Sequence, residues 1–181
     1  NVKYFAKGHR GFLFIGNYKS KKVVVKAKNP SSMAFGRIEN ESKWLKKLNK
    51  ISIGPRVLYS KSDYFVYEFI DGDFIIDYMK KSNKNQVRKL IKDVFIQMYK
   101  LDKLKVDKEE MHHPLKHVII SGNKPYLIDF ERARCTNDPK NVTQFCQFVM
   151  GGHAAHILSE KGINLSKIKV IELAKIYKSN M

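Results

Sequence analysis

The sequence predicts an α+β chain in two parts, with strands gathered in the first and helices in the second. Three observations predict this. Residues 12–15 and 23–28 are short runs rich in aromatic or β-branched residues, separated by polar ones, as in a hairpin. Apolar residues then return at helical spacing, first at Ile38, Trp44, Leu45 and Leu48, and again at Val87, Leu90, Ile91, Val94, Phe95 and Met98. Between those helices lies DGD at 71–73, a turn that marks a boundary between residues 1–70 and 71–181. The length of 181 residues, with 43% hydrophobic and 29% charged residues, suits one sizeable globular domain or two small lobes.

The elements follow in order. Residues 2–5 form a strand leading into AKGHRG, and residues 12–15 and 23–28 form a hairpin around the polar residues 17–22. NPSS at 29–32 ends the second arm and can cap a helix. RIENESKWLKKLNK is that helix, and residues 57–59 and 64–70 are two further strands. A helix covers about 85–101, residues 111–117 are irregular, and HVII, SGNK and PYLID read as strand, turn and strand. VTQFCQFVM is helical and closed by Gly151 and Gly152, with further helices at 153–160 and 165–178. Asn141 reads as a helix cap.

Composition narrows the function classes. No apolar run approaches the ~20 residues of a membrane span, and NVKYFAKGHR lacks the apolar core of a signal peptide. Cys135 and Cys146 make no disulfide framework, so a reduced, cytoplasmic protein is expected. His112, His113, His117, His153 and His156 show no tight pair of zinc-ligand spacing. The formal charge is +18, and the first sixty residues hold fourteen Lys/Arg against only Glu39 and Glu41. That imbalance points to a polyanionic partner, such as nucleotide phosphates, RNA or an acidic protein, or to a lysine-rich surface tuned for solubility.

Four features carry chemistry. AKGHRG at 6–11 holds Gly8 and Gly11 between two strands, where glycine lets backbone amides approach a phosphate. In VVVK, strand alternation puts Val24 and Lys26 on one face, with Lys28 as the nearest competitor. In ESKWLKKL, Glu41 stands four residues before Leu45 and seven before Leu48, while Glu39 falls on a different helical face. In KPYLIDFERAR, an apolar strand delivers Asp129 and Phe130 at its C-terminal end, and a carboxylate there suits Mg²⁺.

This order of glycine loop, lysine strand, glutamate helix, YFVYEFIDG and strand-Asp-Phe resembles the protein-kinase-like superfamily. The chain is similar to RIO kinases, to the small kinase of the tRNA threonylcarbamoylation complex, and above all to small archaeal predicted Ser/Thr kinases. The resemblance runs from about Tyr4 to Asn141, and KHVII, LIDFERAR and PKNVTQF are its most specific segments. It implies a minimal bilobal fold, an antiparallel-sheet N-lobe and a reduced, mainly helical C-lobe. It also implies ATP and Mg²⁺ as cofactors and transfer of the γ-phosphoryl to a Ser/Thr hydroxyl. In that reading Lys26, paired with Glu41, positions the phosphates, the backbone from Glu68 to Ile70 meets adenine, and Asp129 holds the metal.

The sequence departs from the family in three places. DKEEMHHPLKHVII stands where the catalytic loop HRDLKxxN belongs. Counting back from Asp129 puts His117 at the asparagine, as a second metal residue, and His112 at the catalytic aspartate. Counting forward from Val106 puts Glu110 there, which keeps a carboxylate to orient the hydroxyl. Lys116 would neutralise the γ-phosphate. Glu131 replaces a glycine after Asp-Phe, so the turn is expected to stay in one state. No APE motif is present. A non-catalytic nucleotide-binding scaffold, an RNA- or tRNA-associated module and a small-molecule kinase therefore stand as alternatives.

Overall fold

The β-branched and aromatic residues of the first seventy positions assemble one antiparallel sheet. The structure is a computed structural model that describes residues 2–7, 11–30 and 36–181. β1 (Val2–Lys7) pairs with β2 (Gly11–Tyr18), and β2 pairs with β3 (Lys21–Lys28). The expected six-residue turn shrinks to Lys19 and Ser20, at φ 47° and 63°. Two left-handed central residues make a tight turn whose twist matches the strands, so both arms lengthen towards it.

α1 (Arg37–Asn49) follows Gly36, which caps it at φ 71° without a side-chain bond. Of NPSS, expected to cap a helix, Ser31 and Ser32 lie outside the described residues. β4 (Val57–Ser60) and β5 (Tyr64–Glu68) complete the sheet in the order β1-β2-β3-β5-β4. α1 packs on β3, β4 and β5. It buries Ile38, Trp44, Leu45 and Leu48, while Val23, Val24 and Phe65 are buried in the sheet.

The chain divides into two units, Asn1–Asp71 with Tyr126–Ala133, and Gly72–Pro125 with Arg134–Met181. The sequence predicts the division between residues 70 and 71. The strand end that carries Asp129, however, belongs to the first unit, which corrects its assignment to residues 71–181. The reason is burial: Leu127 and Phe130 are fully buried, and Gly54 makes room for them. At Gly54, φ is +76°, and an added Cβ would stand 2.5 Å from Leu45 Cδ2 and 3.5 Å from Phe130 Cε2.

The second unit begins with β6 (Asp73–Phe74), α2 (Ile75–Lys81) and α3 (Lys84–Lys103). The sequence reading missed α2, which has only seven residues and no side-chain cap. It also started α3 late, because Asn83 and Gln86 form a capping box. β7 (Val106–Asp107), β8 (Val118–Ser121), β9 (Lys124–Leu127) and β10 (Arg134–Cys135) follow. β6, β8 and β9 form one small sheet and β7 pairs with β10. β9 carries the chain out of this unit after Pro125. α4 (Asn141–Met150), α5 (Gly152–Glu160) and α6 (Lys167–Ser179) complete the unit.

Asn141 is not a cap. It is the first residue of α4 and fully buried, and its Nδ2 donates to Asp102 Oδ1 at 2.6 Å and to the Val106 carbonyl at 2.7 Å. The Tyr177 hydroxyl donates to Asp102 Oδ2 at 2.9 Å, and the Lys108 N–H donates to Asn141 Oδ1 at 2.9 Å. This network ties α3, α4, α6 and the start of the 108–117 loop together. Among the described residues no helix is long and apolar enough to cross a membrane.

Candidate functional site

Strand alternation and helix spacing converge on one side chain. β3 presents Val24 and Lys26 on the same face, opposite Tyr67 and Phe65 of β5. Lys26 Nζ donates to Glu41 Oε2 at 2.5 Å and lies 3.5 Å from Asp129 Oδ1. The Lys26 side chain is 14% exposed, that of Glu41 3% and that of Asp129 36%. Burial alone would push Lys26 down, but Glu41 and then Asp129 overcome it and hold the ammonium well above its ordinary range. Burial drives Glu41 above the usual carboxylate range, Lys26 pulls it back, and Asp129 and Glu131 repel it further. Burial, and then the charge of Glu41, also raises Tyr67, whose phenol therefore stays neutral.

The turn after Asp129 is clamped to α1. Asp129 itself is left-handed, at φ 62°. Asn40 Nδ2 donates to the carbonyls of Glu131 and Ala133, both at 3.0 Å. Arg37 donates to the Glu131 carbonyl at 3.3 Å. Asn40 adjoins Glu41 in the helix, so one turn of α1 fixes both the partner of Lys26 and the turn that carries Asp129. Carboxylate oxygens of Glu41, Asp129 and Glu131 lie within 4.8 Å of one another. Sequence reasoning missed Asn40, Tyr67 and the carboxylate of Glu131. The signal for Glu131 was present in the sequence, but it was read only as a lost glycine.

The other predicted residues are placed as follows. Gly11 belongs to β2, and a Cβ there would stand 2.7 Å from the Ala27 carbonyl, so close strand packing already requires glycine. Gly8 lies outside the described residues. The N–H of Glu68 donates to the Arg56 carbonyl and that of Phe69 to the Lys22 carbonyl. Ile70 lies two residues beyond β5, within the first unit.

Glu110, His112, Lys116 and His117 belong to the second unit. Glu109 and Glu110 are both left-handed, at φ 65° and 58°. Glu110 Oε2 lies 3.6 Å from His117 Nε2, and Lys108 Nζ lies 3.3 Å from His117 Nδ1. Both ring nitrogens of His117 thus face protein groups. His112 and Lys116 instead line a cavity of about 500 Å³ with His113 and His153.

Together the fold and the site define an α+β protein with a buried lysine held by two acids. No protein-family profile matches the chain. It is 33% identical over 114 residues to "Uncharacterized protein MJ1211" of Methanocaldococcus jannaschii, and the match spans 61% of this chain and 97% of that protein. The chain belongs to the family of that archaeal protein.

Two outcomes follow from this geometry. Replacing Asn40 with Ala should cost about 1–3 kcal/mol, because the Ala133 carbonyl loses this donor and the Glu131 carbonyl keeps Arg37. Amide hydrogen exchange should quicken at residues 129–133 and stay unchanged in α3; equal protection in both proteins would refute the clamp. The second outcome concerns pH. The folded-state pKa of Lys26 is raised, so its stabilisation is complete below the unfolded value of about 10.4 and declines as pH rises beyond it. Urea denaturation should therefore show the stability gap between wild type and Lys26→Met shrinking from pH 9 to pH 11. A gap that widened would contradict the assignment.

Proposed function

We propose that the chain is an atypical ATP-dependent kinase that transfers the γ-phosphoryl of ATP to a Ser/Thr hydroxyl of a protein. The observation that carries this reading is the position of Lys26, 2.5 Å from Glu41 and 3.5 Å from Asp129, residues 15 and 103 positions away in sequence. The element order of three strands, one helix and two strands supports a minimal protein-kinase-like N-lobe as part of the same proposal.

Each residue then has a task. Lys26 binds the phosphates, and Glu41 keeps its ammonium charged and aimed. The backbone at Glu68 and Ile70 receives adenine. Glu41, Asp129 and Glu131 bring hard carboxylate oxygens together, with Glu41 and Asp129 also paired to Lys26. That donor set fits Mg²⁺, with Asp129 open enough to leave room for water. Bound there, magnesium would neutralise phosphate charge. Asn40 keeps the turn of Asp129 in place without a glycine. Glu110 orients the acceptor hydroxyl, with His112 as the other candidate base and His117 bracing Glu110. Catalysis rests on positioning and charge neutralisation.

Transfer of label from γ-labelled ATP to protein hydroxyls should disappear in Asp129→Ala and fall by roughly 10²-fold in Lys26→Ala. Circular dichroism should show both variants folded. Equal labelling in wild type and both variants would overturn the reading.

A further inference from the structure

The outward face of α1 carries a different chemistry from the inward one. Lys43, Lys46, Lys47 and Lys50 are all exposed and, with Lys61 of the β4–β5 turn, line a groove of about 460 Å³ in the first unit. The rest of the lining is Glu39 and three serines. Lys46 donates to Ser60 Oγ at 2.5 Å, and Lys47 lies over the Trp44 ring at 4.9 Å. Among the described residues none of the five ammonium groups pairs with a carboxylate. The nine remaining residues, Asn1, 8–10 and 31–35, include no Asp or Glu.

An ordinary solvated helix face intersperses acids at i±4. Here Glu39, four residues before Lys43, is the one acid at that spacing, while Lys43 and Lys47, and Lys46 and Lys50, are like-charged i,i+4 pairs, which oppose helix formation. Five cations concentrated in one concavity become favourable when a polyanion displaces its own counterions there. The lining contains no apolar side chain. A protein partner would centre on aromatic or aliphatic anchors and avoid lysine, and a membrane surface would take an apolar face. No aromatic ring lines the groove either, so it offers no platform on which single-stranded bases could stack. Lys43 to Lys50 spans about 10 Å of helix axis, which covers about three phosphates of one duplex strand.

We propose that this groove docks the phosphate backbone of a nucleic-acid duplex, RNA or DNA, without reading its bases. Lysine ammonium groups and serine hydroxyls are suited to phosphate oxygens. The site is independent of the kinase reading, and either can fail without the other.

The test is fluorescence anisotropy with 20-base-pair RNA and DNA duplexes of arbitrary sequence, titrated from 50 to 200 mM salt. About three neutralised phosphates predict a log–log slope near −3. Replacing Lys43, Lys46, Lys47 and Lys50 with Gln should weaken binding at least 10-fold and flatten the slope by about 2. A charge-matched variant of the exposed Lys80, Lys92, Lys100 and Lys169 should change binding less than 3-fold. Glu39→Gln should tighten binding about 2-fold. The tighter of the two duplex arms names the natural source. The proposal is overturned if both lysine variants weaken binding equally, if no salt-dependent binding occurs, or if polyglutamate or phosphatidylserine vesicles bind the wild type more tightly than either duplex does.

Discussion

Lys26 carries an ammonium into a setting where burial alone would lower its pKa, and Glu41, 2.5 Å away, holds it charged. A buried pair of this kind tolerates little misplacement, since removing either partner strands the other charge at a cost of about 3–5 kcal/mol. That requirement constrains the whole first unit. A one-residue slip of β3 would send Lys26 to the opposite face of the sheet. A small rotation of α1 would withdraw Glu41 and, with it, the clamp from Asn40 to the Glu131 and Ala133 carbonyls. The return of Tyr126–Ala133 to this unit brings a second acid to the same ammonium. Gly54 is the steric condition for that return, because any side chain there would meet Leu45.

The parts of this arrangement that were legible in the sequence are those that depend on local periodicity. Alternation put Lys26 and Lys28 on one face and helical spacing separated Glu41 from Glu39, and the resemblance to the kinase order then chose Lys26, Glu41 and Asp129. What stayed hidden depends on contacts between distant segments. Asn40 sits in a helix as an ordinary polar residue until the 129–133 turn arrives beside it. Asn141 carries the pattern of a cap, yet it spends its amide on Asp102 and Val106. β7 and β10 have two residues each, too few for a pattern, and α2 starts without a capping side chain. The extra length of β2 and β3 came from a turn of two non-glycine residues at positive φ, for which no glycine or asparagine gave a cue.

The excess of lysine acquires two separate meanings within one helix and its neighbouring strands. Lys26 faces inward, where its charge is fixed by carboxylates and its position by packing. Lys43, Lys46, Lys47 and Lys50 face outward, where no described acid pairs with them and their charge is available to a partner. The two sets differ in their sensitivity to salt. Screening weakens the exposed set over a Debye length of about 8–10 Å but leaves the buried pair largely intact. High salt should therefore weaken the outward set while leaving the buried pair in place.

Under the proposal, Lys26, Glu41 and Asp129 form a polyphosphate site assisted by a divalent cation. Equilibrium dialysis of the wild-type chain against ATP and AMP, each with and without magnesium, tests it most directly. The account predicts that ATP binds at least 10-fold more tightly with magnesium than without it, that AMP shows no such gain, and that Lys26→Met removes the difference. ATP and AMP binding equally well, with magnesium making no difference to either, would contradict it.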